Sequence, residues 1–261
     1  MMKRKRISGI RAIGFDLFNT LIMANRQTLD EAIGRLMKSL KKDGFVENET
    51  VFMEEYGKAA LWHIEQSMKT GRETHNRYWI CDAVNRAGNH VSPDDPRIDR
   101  AVDSYFSAFY PNCRLIPGVG PMLEELKGKY PLGLASNFTH PPAARKIMED
   151  LGLIPYFKTI IISGEIGYRK PDRVVFENLV KDLGVASHEI LFMGDDPVAD
   201  ICGASAAGLH AVFLTYAGER RLPFSPEISD KDHLSPDESI LRISTPEQIF
   251  GILDGSREVE S

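Results

Sequence analysis

Five short runs of apolar residues, each of strand length, recur along the chain. They occupy residues 12–16, 132–136, 159–163, 190–194 and 211–214. Continuous apolar runs of this length are typical of strands that are buried on both faces of a sheet. Between the later runs the pattern changes to segments of helical length, over residues 142–151, 174–183 and 198–207. The alternation predicts an α/β fold with a mostly parallel, doubly wound sheet.

The segment from residue 23 to residue 109 follows a different pattern, because its apolar positions repeat at helical spacing without a convincing buried strand. Two stripes stand out: Leu29, Ile33, Leu36 and Leu40, and Val102, Tyr105, Phe106 and Phe109. We expect both stripes to lie in the core. The pattern predicts an inserted, all-helical cap domain over residues 23–109, with a main domain formed by residues 1–22 and 110–261.

The C-terminal region carries no visible catalytic signal. Residues 217–239 hold several Pro, Ser and Asp residues, a composition typical of a long surface loop. A last strand is predicted at residues 240–243, and a last helix is expected to begin at Thr245.

Composition and charge narrow the range of partners. The 261 residues carry a formal net charge of −5, which argues against a nucleic-acid-binding surface spread over the whole protein. The basic run at residues 3–6 is interpreted as a solvated tail, with a phosphate-binding or targeting arm as the alternative. No apolar stretch approaches the ~20 residues that cross a bilayer. We therefore expect a monomer or homodimer that acts on a small molecule, with neither nucleic acid nor membrane as a partner.

Cysteine usage and the start of the chain indicate a compartment. The three cysteines are far apart and lack the spacing of a zinc site or a disulfide framework; they are Cys81, Cys113 and Cys202. The first residues lack the apolar run of a signal peptide. These observations favour a cytoplasmic location.

Four polar clusters each follow one of the predicted strands. They lie at residues 16–20, 136–137, 170–171 and 194–200. In an open parallel sheet, the loops at the carboxyl ends of the strands meet in one crevice, so residues far apart in sequence can share a site. The placement predicts a single polar site at this edge of the sheet.

Asp16 ends the first apolar run and would face this crevice. A carboxylate in that position can attack phosphorus, or a carbon that bears a leaving group, and so divide a difficult hydrolysis into two displacements. The alternative is an aspartate that only caps a helix or a turn. We predict that Asp16 is the catalytic nucleophile.

Three further acids fall close together after the strand at residues 190–194, namely Asp195, Asp196 and Asp200. Their carboxylates repel one another. Mg²⁺ prefers carboxylate and water oxygens, so it would relieve this repulsion and also neutralise a substrate phosphate. We predict a magnesium site with Asp195 as a direct ligand, and with Asp196 or Asp200 as an outer-shell or water-mediated partner.

Lys170 supplies a positive charge that would balance these acids and stabilise the charge on a transferring group, although a solvated surface lysine is the alternative. The neighbouring Arg169 is expected to point outward. Ser136 and Asn137 offer hydroxyl, amide and backbone donors for substrate oxygens. Together with Thr20 and Lys170 they form the predicted phosphate-binding set.

Taken in order, the four clusters closely resemble the motifs of the haloacid dehalogenase superfamily, over most of the chain. The matching segments are residues 16–20, Ser136-Asn137, Lys170-Pro171 and residues 194–200, with a helical insert after the first motif as in members with a C1 cap. The resemblance implies a Rossmann-like core and an aspartyl-enzyme intermediate at Asp16. It also implies metal ligation by Asp16, the backbone carbonyl of Phe18 and Asp195.

The sequence departs from most phosphatases of that superfamily at Phe18, where they usually carry a second aspartate that protonates the leaving oxygen. Relatives that hydrolyse 2-haloacids have a non-acidic residue there, but they work without metal and generally lack the arrangement seen at residues 194–196. We therefore predict a magnesium-dependent phosphatase. The alternatives are a 2-haloacid dehalogenase and a catalytically weak binding protein.

The predicted cap holds candidates for the missing acid and for contacts that select the substrate. His63 or His75 could donate a proton, although a lone helical histidine is more often structural. Candidate substrate contacts are Arg26, Arg72, Arg77, Tyr78 and Trp79. The sequence leaves the substrate itself open.

Overall fold

The computed structural model describes residues 6–223 and 240–253, so most of the basic run at residues 3–6 and most of the predicted loop at 217–239 lie outside the described residues. The strands are β1 (Ala12–Phe15), β2 (Ile22–Ala24), β3 (Cys113–Leu115), β4 (Leu132–Ser136), β5 (Thr159–Ile162), β6 (Ile190–Gly194), β7 (His210–Leu214) and β8 (Leu241–Ile243). The helices are α1 (Thr28–Lys42), α2 (Glu49–Thr70), α3 (Asn76–Arg86), α4 (Pro96–Phe106), α5 (Val119–Lys127), α6 (Pro141–Asp150), α7 (Ser163–Ile166), α8 (Arg173–Leu183), α9 (Gly203–Ala206) and α10 (Tyr216–Arg220).

Six strands form one parallel sheet in the order β5-β4-β1-β6-β7-β8. β1 lies in the middle, with Phe15 paired to Leu134 of β4 on one side and to Met193 of β6 on the other. The chain order reverses at β1, and helices lie on both faces of the sheet. The predicted doubly wound α/β fold is therefore confirmed, and its five main strands lie within one residue of the predicted runs.

The sheet has two cores because successive side chains of a strand point to opposite faces. Ile13 and Phe15 belong to the larger core, which also contains the apolar residues of α1 to α6. Ala12 and Phe192 belong to the smaller core, under α8. Gly14 of β1 faces the same side as Ala12, and an added Cβ there would come within 2.7 Å of the Phe192 ring. The absence of a side chain lets the Phe192 ring and Leu179 of α8 pack directly against β1.

Four helices, α1 to α4, lie between β2 and β3, within the range predicted to be helical. α1 packs on α4 and α2 packs on α3. The predicted stripe on α4 and the following turn lies against the core, as expected. In α1 the predicted stripe is confirmed at Leu36 and Leu40, which are fully buried, but it is wrong at Leu29, which is 44% exposed. The buried face of this helix also includes Ala32 and Met37. No helix of the described residues is long and apolar enough to span a membrane.

β2 and β3 pair antiparallel and form a separate two-stranded ribbon, through which the chain leaves the sheet and returns to it. The sequence did not predict this ribbon, because three residues are too few to show a strand pattern. β2 also crosses the proposed boundary between residues 22 and 23. The helix predicted at residues 198–207 is present as a π-helix at Pro197–Cys202 followed by α9, and Thr245 precedes a 3₁₀-helix at Pro246–Gly251.

Candidate active site

Asp16 is the first residue after the central strand β1, at the carboxyl edge of the sheet. Its backbone N–H donates to the carbonyl of Met193 at 2.9 Å, which extends the pairing of β1 with β6 by one residue. The chain then turns sharply, with Asn19 at a φ of 60°, a left-handed conformation that asparagine tolerates better than most residues. The carboxylate of Asp16 is thereby fixed on a rigid strand end and points into a cavity.

Lys170 is buried, with 2% of its surface exposed, and its ammonium joins two carboxylates. Its Nζ donates to Oδ1 of Asp16 at 2.7 Å and to Oδ1 of Asp200 at 2.6 Å. Burial lowers the pKa of Lys170, but the two adjacent carboxylates outweigh burial and the pKa is raised. The ammonium therefore stays charged and holds Asp16 in place.

A cluster of three carboxylates lies beside this ammonium. Asp16, Asp195 and Asp200 each offer an oxygen within 4.8 Å of the others. Burial, and then the charge of Asp16, raise the pKa of Asp195 well above its ordinary value. Burial also raises the pKa of Asp200 to about 7, against the opposing charge of Lys170. One ammonium does not balance three carboxylates, and an all-oxygen donor set with unbalanced negative charge fits Mg²⁺.

The segment after β6 places Asp200 and Asp196 in different roles. Oδ1 of Asp196 accepts from the backbone N–H groups of Val198 and Ala199, both at 2.8 Å, so Asp196 caps the π-helix. Oδ2 of Asp200 accepts from the N–H of Asp196 at 3.0 Å. At Gly194 an added Cβ would lie 2.3 Å from that same Oδ2, so glycine is required for this close approach. Of the two predicted outer-shell candidates, the geometry favours Asp200.

Asn137 positions the loop that carries Lys170. Its Oδ1 accepts from the N–H of Lys170 at 2.7 Å, and its Nδ2 donates to the carbonyl of Lys170 at 2.9 Å. This pair of hydrogen bonds joins the end of β4 to a residue that is distant in sequence. The side chain of Asn137 is therefore committed largely to Lys170, although both residues line the cavity.

The remaining predicted residues lie close by. Ser136 ends β4 and lines the cavity, where its hydroxyl can meet a substrate oxygen. Thr20 is fully buried and does not line the cavity; its hydroxyl lies 3.5 Å from Oδ1 of Asp195. Phe18 lines the cavity with its ring. Each of the four polar clusters thus contributes to one site, as their positions after the strands predicted.

The cavity has a volume of about 290 Å³, with the carboxylates and Lys170 as its floor. Aromatic side chains cover most of the rest. We call six of them the aromatic wall: Phe18, Trp79, Tyr105, Phe106, Phe109 and Phe138. Within the wall the ring of Phe18 stacks on Phe138 with centroids 5.5 Å apart, and meets Phe109 edge-on at 6.2 Å. The site therefore joins a charged floor to an apolar wall.

Most residues of the predicted cap that were candidates for chemistry do not line the cavity. His63 lies 2.7 Å from Asp82, and His75 lies 3.1 Å from His140. Of the five candidate substrate contacts, Trp79 alone lines the described cavity. The others are exposed or hold other groups; Arg72, for example, lies over the ring of Tyr168.

The expected orientation of Arg169 was wrong. Its side chain is 22% exposed, lines the cavity and lies 3.7 Å from the buried carboxylate of Glu73. Glu73 is in turn fixed by the hydroxyl of Ser163, which donates to it at 2.6 Å. This acid in the segment between α2 and α3 draws the arginine inward, and no local sequence pattern shows such a partner.

Several residues of the site were missed from the sequence. Asn76 begins α3 and reaches the cavity, but an isolated asparagine carries no signal. Phe138 directly follows the second motif, and that position was the one available clue. Phe106 and Phe109 were recognised as apolar but were assigned to the core alone. Their rings serve both the core and the cavity.

Comparison with known proteins agrees with this architecture. The family profile of haloacid dehalogenase-like hydrolases matches residues 10–208, and the chain belongs to this family. The chain is 35% identical over 113 residues to a ribulose-1,5-bisphosphate 5-phosphatase of Halopiger xanaduensis, a match that covers 43% of this chain and 47% of that protein. It is 26% identical over 204 residues to a glyceraldehyde 3-phosphate phosphatase of Methanopyrus kandleri, covering 78% and 83%.

Among solved structures, a 2-haloacid dehalogenase from Pseudomonas syringae pv. tomato DC3000 superposes with a TM-score of 0.65 at 23% identity. The match covers 93% of this chain and 97% of that one. At this level of identity the likeness shows the shared fold. The match to the Halopiger phosphatase spans about half of that relative's length.

Proposed function

We propose that this protein is a magnesium-dependent phosphatase of a small phosphorylated molecule, acting through an aspartyl-phosphate intermediate at Asp16. One observation carries the proposal, namely the cluster of Asp16, Asp195 and Asp200 around the single ammonium of Lys170. The site needs additional positive charge, and a metal together with a substrate that is itself anionic suits it. The names of the two curated relatives, both phosphatases, support the same reaction.

The residues of the floor divide the reaction into two displacements. A carboxylate oxygen of Asp16 attacks phosphorus, and the bond from phosphorus to the leaving oxygen breaks with its electron pair on that oxygen. Water then attacks the same phosphorus, which restores the Asp16 carboxylate and releases inorganic phosphate. Lys170 holds Asp16 by a buried charged hydrogen bond, and Ser136 offers a hydroxyl to the phosphate.

Magnesium would be held by Asp16, Asp195 and the carbonyl of Phe18, with Asp200 supporting through Lys170 and the loop after β6. When bound, the ion would neutralise charge on the phosphate. We also propose that residues 23–109 act as a cap over this floor, since Trp79, Tyr105 and Phe106 from that range line the cavity.

The test measures phosphate release from acetyl phosphate and 4-nitrophenyl phosphate, with Mg²⁺ and with excess chelator. We expect turnover that requires Mg²⁺ and is lost in Asp16→Asn, a nearly isosteric change that removes the anionic nucleophile. Hydroxylamine should release phosphate from a wild-type adduct trapped by acid quench. Full activity in chelator, or an unchanged Asp16→Asn variant, would refute the proposal.

A 2-haloacid dehalogenase is the second candidate, and Phe18 is the observation that favours it. The Phe18 ring lies within the aromatic wall, and the position offers no proton to a leaving oxygen, whereas halide needs none. Release of halide from 2-chloropropionate in the presence of chelator would identify this activity. Tight Mg²⁺ binding with turnover of neither class of substrate would instead indicate a binding protein.

A further inference from the structure

The wall of the cavity is apolar and carries no charge. Tyr56 also lines the cavity. Burial, followed by the neighbouring hydroxyl of Tyr105, raises the pKa of Tyr56 above its ordinary value, and burial raises the pKa of Tyr105 to about 12. Both phenols are therefore neutral at any physiological pH. The nearest cation on the cavity lining besides Lys170 is Arg169, which already faces Glu73. A charged group would lose its hydration here without gaining a partner of opposite charge.

Two buried polar atoms interrupt this apolar surface. Oδ1 of Asn76 and Nε1 of Trp79 both lack a hydrogen-bond partner among the described residues, and Asn76 is 2% exposed. The two residues are three apart at the start of α3, so they lie on the same face of that helix. Both line the cavity. Buried groups of this kind ordinarily have a partner. Both atoms are closed off from solvent in this structure, so a small rotation of the two side chains on binding would turn one acceptor and one donor toward a molecule in the cavity.

The position of Phe18 limits the leaving group independently. Phe18 occupies the position at which the resemblance places the acid that protonates the leaving oxygen, so an alcohol that departs readily as its anion is favoured. Aryl oxides do so far more readily than alkoxides. The non-acidic residue at position 18 and the aromatic lining of the cavity therefore both favour an aromatic alcohol as the leaving group.

We propose that the substrate is a phosphate monoester of a planar aromatic alcohol whose ring carries an amide-like group, a class of substrate that rests on the proposed phosphatase activity. The phosphate lies on the floor, and the ring lies against the cavity-facing side of the aromatic wall, to which Phe18, Phe106 and Phe138 contribute. The ring substituent accepts a hydrogen bond from Nε1 of Trp79 and donates one to Oδ1 of Asn76. A cavity of about 290 Å³ is at the lower limit of the ~300–1,000 Å³ typical of ligand pockets, which suits one ring rather than a nucleotide.

Binding of phosphonates tests this without any turnover. Calorimetry in Mg²⁺ compares (3-acetamidobenzyl)phosphonate, benzylphosphonate and 3,4-dihydroxybutylphosphonate, which share the anion and differ in the group against the wall. We expect affinity to fall in that order, with each step about 10-fold, from the hydrogen bonds and from the aromatic contacts. A polyol phosphonate that binds as tightly as benzylphosphonate would overturn the proposal, whether or not the protein is a phosphatase.

A pair of tryptophan variants isolates the polar contact. Trp79→Phe keeps a ring but removes the N–H, so it should reduce the preference for (3-acetamidobenzyl)phosphonate over benzylphosphonate to what the contact with Asn76 alone provides. Trp62→Phe is the matched control, because Trp62 is 49% exposed and lies outside the cavity. The preference should be unchanged in that variant. If Trp79→Phe retains the full preference, the assignment of its N–H is wrong.

Acetyl phosphate tests the phosphatase activity separately from the aromatic substrate, since its leaving group needs neither a ring nor a proton donor. Mg²⁺-dependent turnover of acetyl phosphate, combined with no preference among the phosphonates, would leave the phosphatase proposal standing and overturn the aromatic substrate. The opposite result is a preference for the ring in binding, with no turnover of acetyl phosphate or of 3-acetamidophenyl phosphate. It would support the aromatic binding site and refute the phosphatase activity.

Discussion

Lys170 shows how one side chain can hold a site together. Its ammonium is buried between the carboxylates of Asp16 and Asp200, and the backbone of its own residue is held by Asn137. A buried ion pair adds little net stability compared with an apolar replacement, but removing one partner leaves the other charge buried and unpaired. The residue is therefore needed for the fold of the floor as well as for its charge.

Replacing Lys170 with Met should destabilise the protein strongly, because two carboxylates lose their shared partner. We expect a loss of about 3–5 kcal/mol in the free energy of unfolding by urea, measured without Mg²⁺. Lys181→Met, at an exposed position of α8, should change it by less than ~0.5 kcal/mol. Adding Asp200→Asn to Lys170→Met should recover part of the loss; no recovery would argue against a shared charge.

Phe18 offers a second test on a single side chain. Phe18→Asp places a carboxyl group near the leaving oxygen, where general acid catalysis contributes ~10²–10⁴-fold. We expect turnover of an alkyl phosphate to rise relative to that of an aryl phosphate. Taking the ratio on one preparation cancels any loss from the disturbed stacking on Phe138. If the variant is folded and binds metal but the alkyl-to-aryl ratio is unchanged, another group already supplies the proton.

Among the elements, α3 is tied to the start of α6 by two neutral histidines. The Nδ1 of His75 accepts from the N–H of Arg77 at 3.1 Å, so its Nε2 carries the proton and donates to Nδ1 of His140 at 3.1 Å. Nε2 of His140 in turn lies 3.4 Å from Asp103. This link fixes the helix that presents Asn76 and Trp79 against the loop after β4.

The link should weaken in acid. Burial, then repulsion from a protonated His140 and from Arg77, lowers the pKa of His75 to about 4, below the ~6.5 of an exposed histidine. The unfolded chain thus binds more protons between these values, and stability falls as the pH falls through this window. Between pH 7 and pH 5 this histidine should cost about 1–2 kcal/mol of unfolding free energy.

His75→Asn removes the titration but keeps a side chain that can cap α3. Urea unfolding at pH 7 and pH 5 should show a smaller loss on acidification in this variant than in wild type. His90→Asn, at an exposed position, is the control and should behave as wild type. Equal acid sensitivity of all three proteins would contradict the assigned pKa of His75.

For the molecule as a whole, we expect the excess of carboxylates on the floor to make stability depend on magnesium. A ligand that binds only the folded state at 100 times its Kd adds about 2.7 kcal/mol. In a protein of this size that corresponds to a rise in Tm of roughly 5–10 °C. Differential scanning calorimetry with MgCl₂ against NaCl of equal ionic strength measures it.

The matched variants for this experiment are Asp195→Asn and Asp94→Asn. Asp195 belongs to the predicted metal site, so its amide should abolish most of the magnesium effect. Asp94 has a side chain that is 84% exposed and should keep the full effect. A rise in Tm that survives Asp195→Asn would place the bound ion elsewhere.

The sheet was predictable because its strands are buried on both faces and so appear as apolar runs. The same strands allowed the prediction that the polar clusters share one site, since residues after parallel strands meet at one edge of the sheet. The ribbon of β2 and β3 was not predictable from runs of three residues. Leu29 fitted a helical stripe but faces outward, because periodicity alone does not fix the angle at which α1 packs.

The residues that form the cavity wall could not be predicted from the sequence, for a different reason. Asn76 and Trp79 come from α3, Phe138 follows β4, and Phe18 follows β1. These segments meet only through tertiary packing. An aromatic residue has the same sequence signature whether its ring fills a core or faces a ligand, so Phe106 and Phe109 were assigned to the core alone.

The pairing of β2 with β3 suggests that the helical insertion between them can be exchanged for another segment. The chain leaves at Ala24 and re-enters at Cys113, which are directly paired, so their backbones already lie side by side. A short hairpin turn could therefore join the two strands in place of residues 25–112 without moving the sheet. Such a graft should retain the β1–β6 pairing in hydrogen exchange, and loss of its protection would show that the helices help to hold the sheet. Exchange of whole insertions at this hairpin would then let one catalytic floor acquire new substrates in a single genetic event.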